Sequence, residues 1–214
     1  MTVGSPPPRR RTRWRRPEIW ESRSDVERIA FFSDAVFAIA MTLLVVQLSV
    51  PTGPAGELGH TLRARGSKFF AFGLSFLVIG QYWLAHHRVF RHIRRYDLGL
   101  LWLNLLWLLA IAFLPFPTAV LGNYPHSKLA AVFYGLSLFV PSGIGTVLWF
   151  YCRRRGLLGE VPERTRRQIE TRGLATPMVF LVSAGAALVN VRLAFLCWVV
   201  LLPLTRLFLS VRTE

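Results

Sequence analysis

The sequence predicts an all-α, polytopic membrane protein with six transmembrane helices per chain. Three observations carry that expectation. Of 214 residues, 53% are hydrophobic and only 17% charged, with a mean hydropathy of +0.41. Charge and apolar surface are segregated, with arginines in short blocks between long stretches almost free of charge. At about 20 residues per span, the apolar segments number six, and no run alternates with period two as a barrel strand would. The balance of 26 Lys plus Arg against 11 Asp plus Glu, a net +15, would suggest nucleic acid in a soluble domain. Here the arginines read as interfacial anchors, so the expected partner is membrane lipid and not nucleic acid. The two cysteines, Cys152 and Cys197, exclude a disulfide framework.

Residues 1–24 are rich in Pro and Arg and read as a disordered basic tail, leaving residues 25–214 as the membrane domain. The tail does not read as a cleaved signal, because the apolar run behind it is too long and no small-residue cleavage site follows. The first span is expected from about Ile29 to Val50, stopped by Pro51 and the Thr52-Gly53-Pro54 turn. The second is expected over Lys68–Ala85. The third covers Leu98–Leu121, with Pro115 and Pro117 near its end. The fourth covers Leu129–Tyr151, where Pro141, Gly143 and Gly145 invite a kink. Leu174–Val189 and Leu193–Leu209 follow as a tight antiparallel hairpin linked by Asn190-Val191-Arg192.

Loop charge sets the orientation. The tail, the second loop, the fourth loop and the C-terminus together hold 21 Arg and Lys, against five on the other side. Both termini are therefore expected in the cytoplasm, as an even number of spans requires.

Polar residues inside the spans carry the functional signal, since a charge near hydrocarbon costs about 2.5–3.5 kcal/mol on insertion scales. Asp34 lies more than one turn into the first span, behind Arg28-Ile29-Ala30-Phe31-Phe32-Ser33. One reading is a helix-start carboxylate favoured by the macrodipole. The other is a partner on a neighbouring helix, because Arg28 and Asp34 are about 600° apart around the helix and cannot pair as i,i+4 neighbours. Trp83, His86, His87 and Asn104 lie on the same side, and a hydrogen-bonded cluster joining the first three spans is expected from them. A metal site at His86-His87 is disfavoured, because adjacent helical residues diverge by about 100° and no Cys or carboxylate stands at ligand spacing.

With Asp34 set to zero, Val46, Ile39, Val50 and Leu43 fall at about 120–180° around the first span, a bulky apolar stripe. Ala38, Ser49, Thr42 and Ala35 form a small-residue stripe beside it at about 40–100°, the kind of surface that lets helices approach closely. Phe37 and Leu44 lie far around the helix and are expected to face outward. Geometry alone leaves the bulky stripe open between lipid contact and a dry pore.

The run Arg28-x-x-x-Phe32-Ser33-Asp34-Ala-Val-Phe-Ala-Ile-Ala-Met-Thr-Leu-Leu-Val resembles the signature of the transmembrane protein 175 family of potassium-permeable channels. The resemblance extends to Tyr82-Trp83-Leu84-Ala85-His86-His87-Arg88, Leu101-Trp102-Leu103-Asn104-Leu105, Phe113-Leu114-Pro115-Phe116-Pro117-Thr118 and Gly122-x-Tyr124, and so covers residues 28–124. It implies that first helices line the central pore of a homotetramer, with the narrowest ring at Ile39 and a dry zone continued by Leu43 and Val46. It further implies that Thr42, with Ile39, contributes to selectivity, and that Arg28, Phe32, Ser33 and Asp34 interlock with Trp83, His86, His87 and Asn104. Val46 is smaller than the leucine that bacterial relatives often carry there, which implies a looser dry zone. No Thr-Val-Gly-Tyr-Gly filter is present.

The resulting expectation is a potassium-permeable cation channel in the cell membrane, passing monovalent cations and needing no cofactor. The alternative is a proton-coupled secondary transporter using Asp34 and the His86/His87 pair, but only the fourth span hints at the broken helix such a carrier needs. An enzyme is not expected, because the sequence offers no paired carboxylates and no nucleophile–His spacing.

Overall fold

The computed structural model describes residue 20 and residues 23–52 and 54–198. Helix α1 spans Arg23–Val46; a 3-10 turn at Ala55–Glu57 and the short α2, Leu58–Ala64, lead into α3, Gly66–Phe90. Then come α4 (Leu98–Phe113), α5 (Pro115–Asn123), α6 (Lys128–Arg155), α7 (Glu163–Val189) and α8 (Val191–Leu196). Five stretches are long and apolar enough to cross a membrane: Ser24–Val46, Gly66–Phe90, Leu98–Asn123, Lys128–Arg155 and Glu163–Val189. No strand occurs among the described residues, only two isolated bridges.

Most of the expected sixth span and nearly all of the basic tail lie outside the described residues. Trp20, within the tail segment, exchanges two backbone hydrogen bonds with Tyr96, and their rings stand 5.4 Å apart. The start of the sixth segment does fold back on α7. Asn190 ends α7 and caps α8 by accepting from the Arg192 N–H at 2.9 Å, and the Trp198 indole donates to Ser183 Oγ at 2.8 Å.

Element boundaries differ from the expected ones where polar residues continue a helix. Helix α7 begins at Glu163 and not Leu174, about three turns earlier. Its polar start is held by Arg166 and Arg167 on Glu163 and by Arg153 of α6 on Glu170 at 2.8 Å, so much of the expected fourth loop is helical. Hydropathy alone sees only the apolar part of such a helix. At its other end α1 stops at Val46, and Gln47-Leu48 form a turn before Pro51. Ser49 and Val50 therefore lie outside the helix, and the angular stripes do not extend to them.

The third span breaks at Leu114, because Pro115 and Pro117 supply no N–H and fit best in the first turn of a new helix, α5. Helix α6 runs unbroken through Pro141, capped at one end by Ser127, whose Oγ accepts from Ala130, and ended by Gly156 at φ 69°, a left-handed conformation that favours glycine.

Helices α6 and α7 form the most extensive helix pair. Gly135 permits it, since a Cβ there would stand 3.3 Å from Ala184. Buried polar groups inside the bundle are paired across helices. Ser75 of α3 bonds Tyr134 of α6 and accepts from Thr118 of α5, each at 2.8 Å, while Tyr82 donates to Leu138 O at 2.6 Å. Such pairing offsets the cost of placing polar groups where water is absent.

The end of the bundle that carries the arginine blocks is tied by a carboxylate that the sequence reading passed over. Asp97 is fully buried and caps α4 by accepting from Leu100 N at 2.9 Å. Its other oxygen accepts from Tyr151 Oη at 2.8 Å and Arg155 Nε at 3.3 Å, both on α6. A Cβ at Gly99 would overlap the Tyr151 hydroxyl, which explains the glycine. An Asp directly before an apolar run is a legible cap signal, but its partners 54 and 58 residues away are not. Asp97→Ala leaves Arg155 without its carboxylate and is expected to destabilise the fold by about 3–5 kcal/mol. Thermal unfolding of the purified protein in detergent checks this; an unchanged midpoint would contradict it.

Candidate functional site

The buried face of α1 is the stripe Ser33, Phe37, Ala40 and Leu44, spaced to follow one side of a helix. It packs on α3 and α4. Ser33 Oγ donates to Ile29 O at 2.8 Å and accepts from Asn104 Nδ2 at 3.0 Å. Asn104 Oδ1 must then accept from His86 Nε2 at 3.0 Å, which places the imidazole proton on Nε2. The His86 ring stacks on Phe90 with centroids 4.1 Å apart and meets Trp107 at 5.1 Å and Phe37 at 5.5 Å. Ser33, Asn104 and His86 are all buried, so one hydrogen-bonded chain crosses three helices.

Asp34 stands one residue on, about 100° around α1, and engages a different partner. Its Oδ1 accepts from the Trp83 indole at 2.8 Å. Trp83 in turn lies beside His87, with ring centroids 5.9 Å apart. Arg28 does not reach Asp34; it is 83% exposed and lies 3.9 Å from Asp25. Phe32 and His87 are exposed and make no hydrogen bond to this cluster within the chain. The expected set thus divides into a buried triad, an Asp34–Trp83 pair and three residues that one chain leaves at its surface.

Among the described residues, the opposite face of α1 is largely exposed. Ile39 is 56% exposed, Leu43 45% and Val46 68%, and Thr42, Ala38 and Ala35 are exposed with them. Thr42 Oγ1 donates to Ile39 O on its own helix at 2.9 Å. Phe37 and Leu44, expected to face outward, are 1% and 0% exposed. That expectation is corrected: they lie on the same side as Ser33, which Asn104 holds against α4, so they belong to the packed core.

A bundle of long apolar helices, cross-linked by buried hydrogen bonds and presenting large hydrophobic side chains on its outside, defines an α-helical integral membrane protein. The family described as "Endosomal/lysosomal potassium channel TMEM175" matches residues 28–115. A potassium channel of Streptomyces collinus is 42% identical over 137 residues, covering 61% of this chain and 66% of that protein. Mouse "Endosomal/lysosomal proton channel TMEM175" is 34% identical over 118 residues, half of this chain and 24% of that one. The crystal structure of a lysosomal potassium-selective channel TMEM175 homologue from Chamaesiphon minutus superposes with a TM-score of 0.74 at 30% identity, covering 90% of this chain and all of that one. The chain belongs to the TMEM175 family. Its matched part spans slightly under two thirds of the bacterial relatives' length, and these relatives are named as ion channels, not enzymes.

Asn104→Ala removes the partner of two buried groups, each worth about 1–3 kcal/mol when left unsatisfied. It is expected to lower the thermal midpoint more than Trp83→Phe, which keeps the ring but removes the donor to the more accessible Asp34. Size-exclusion thermostability of the two variants checks the order, and the reverse order would show that the triad is not the principal tie.

Proposed function

We propose that the protein is a potassium-permeable cation channel of the cell membrane, formed by four chains whose α1 helices surround one pore. The observation that carries this reading is the uncovered α1 face. Ile39, Leu43 and Val46 stay exposed on a helix whose other side is fully packed, and closed cyclic symmetry brings four such faces to a common axis. In this arrangement Ile39 forms the narrowest ring, Leu43 and Val46 prolong the dry zone, and Thr42 lies beside them. The ring has no carbonyl ligands, so it acts as a hydrophobic constriction that gates by dewetting and passes a largely dehydrated monovalent cation when the helices part. The permeating potassium ion is the substrate; no cofactor is involved. Ser33, His86 and Asn104 set the rotation of α1 about its axis. Arg28, Phe32 and His87, at the surface of one chain, lie where a neighbouring subunit can meet them.

Ile39→Asn is expected to wet the ring, raise single-channel conductance and move the reversal potential in a potassium/sodium gradient toward zero. Leu109→Asn, on the exposed side of α4, is the control and is expected to leave permeation unchanged; Leu44 does not serve, because it is core. If the Leu109 variant altered permeation and the Ile39 variant did not, the pore face has been misassigned. The name of the animal relatives favours proton permeation as a second reading, so the same recordings are repeated under a pH gradient, where a reversal potential that tracks pH would support it.

The 21-to-5 distribution of basic residues supports cytoplasmic termini. The structure gathers several of these segments at one end: Arg94 N and Arg95 N donate to Leu157 O, and Arg155 meets Asp97. In a cysteine-free background, membrane-impermeant maleimide is expected to label Gly56→Cys and His126→Cys but not Arg164→Cys in intact cells. Labelling of Arg164→Cys would overturn the orientation.

A further inference from the structure

Between α3, α6 and α7 lies a partly enclosed cavity of about 470 Å³, within the size range of small-molecule sites. One part of its wall is apolar, with Val78, Tyr82, Ala85, Pro141 and Phe180 among the lining. The other part is basic, with Arg88 and Arg91 from the end of α3 and Arg172 from α7. Among the described residues none of these guanidiniums has a carboxylate within ion-pair distance. Arg172 Nε is buried without an acceptor, and Arg88 and Arg172 are close enough to repel each other. The carboxylate in the lining, Glu170, is already engaged by Arg153 at 2.8 Å and by the Trp149 indole at 3.5 Å. Trp107, also in the wall and 2% exposed, has an indole N–H without an acceptor.

Arg88 and Arg172, partly buried and without a carboxylate, call for an anion, with the exposed Arg91 in the same wall, and Arg suits the oxygens of a phosphate. The apolar wall calls for hydrocarbon. A free inorganic anion would satisfy the first and leave the second empty; a neutral hydrocarbon would do the reverse. Basic pockets between spans are a recurrent means of holding acidic headgroups. We propose that this cavity binds an anionic phospholipid of the surrounding bilayer, with its phosphate on Arg88, Arg91 and Arg172 and an acyl chain along Tyr82, Ala85 and Phe180. The site is separate from the uncovered face of α1, so its test does not depend on ion conduction.

The test is native mass spectrometry of the delipidated, assembled protein titrated with short-chain phosphatidylglycerol, with phosphatidylcholine of the same chain length, and with inorganic phosphate. Phosphatidylglycerol is expected to bind roughly tenfold or more tightly than phosphatidylcholine, and inorganic phosphate is expected not to displace it. Arg88→Gln/Arg172→Gln is expected to remove that preference. Ala85→Phe, which keeps the arginines and fills the slot, is expected to weaken both lipids and serves if the arginine variant does not assemble. Equal binding of the two lipids would overturn the proposal. So would displacement by inorganic phosphate, which would mark a plain anion site, or parental affinity in either correctly assembled variant.

Discussion

An amide side chain in hydrocarbon must find both a donor and an acceptor, because no water is available to replace them. Asn104 meets that requirement by donating to Ser33 on α1 and accepting from His86 on α3, and the rotation of α1 against its neighbours follows from it. A small turn of α1 would separate Ser33 from Asn104 and leave the buried Asn104 amide N–H without its acceptor. Apolar contacts in a membrane give no comparable directional preference, since lipid chains compete with side chains on equal terms. The hydrogen bonds therefore choose the register, and packing of Phe37 and Leu44 fills in around it.

Once the rotation of α1 is set, its two faces acquire different fates. The face with Ser33 is spent on the chain's own core. The face with Ile39, Thr42, Leu43 and Val46 lies opposite and stays largely exposed among the described residues. Asp34 sits at the boundary between them, held by Trp83. That bond ties α1 to α3 beside the buried triad.

The arginine-rich end is organised by a second set of polar ties. Asp97 joins α4 to α6, Glu170 joins α6 to α7, and Trp20 and Tyr96 pair ahead of α4. These ties consume Arg153 and Arg155 but not Arg88, Arg91 or Arg172. The surplus of basic charge at this end is thus divided between arginines that hold helices together and arginines that face a cavity. Because α3 carries both His86 and Arg88, the buried triad and the cavity wall share one helix.

Much of this was legible in the residues themselves. Apolar run length marked each described span, Pro115 marked the break in the third, and the order of polar residues in 28–124 identified the family. Angular bookkeeping on α1 found the bulky stripe, and the positions of Asn104 and His86 announced a cluster across three spans. Other features depend on pairings distant in sequence. Hydropathy missed the first three turns of α7, whose stability comes from Glu163 and from Glu170 against Arg153. Nothing in periodicity distinguished Leu44 from Leu43 as core or surface; neighbouring leucines point in different directions, and Asn104, 60 residues from Leu44, decides which of the two is buried. The same holds for Asp97 and Arg155, and for Arg88 and Arg172. Local sequence determines that a helix forms and how long its apolar part is, through backbone hydrogen bonding and transfer energy. Which side faces a neighbour is a sum over contacts from several helices, and that sum exists only once they are packed.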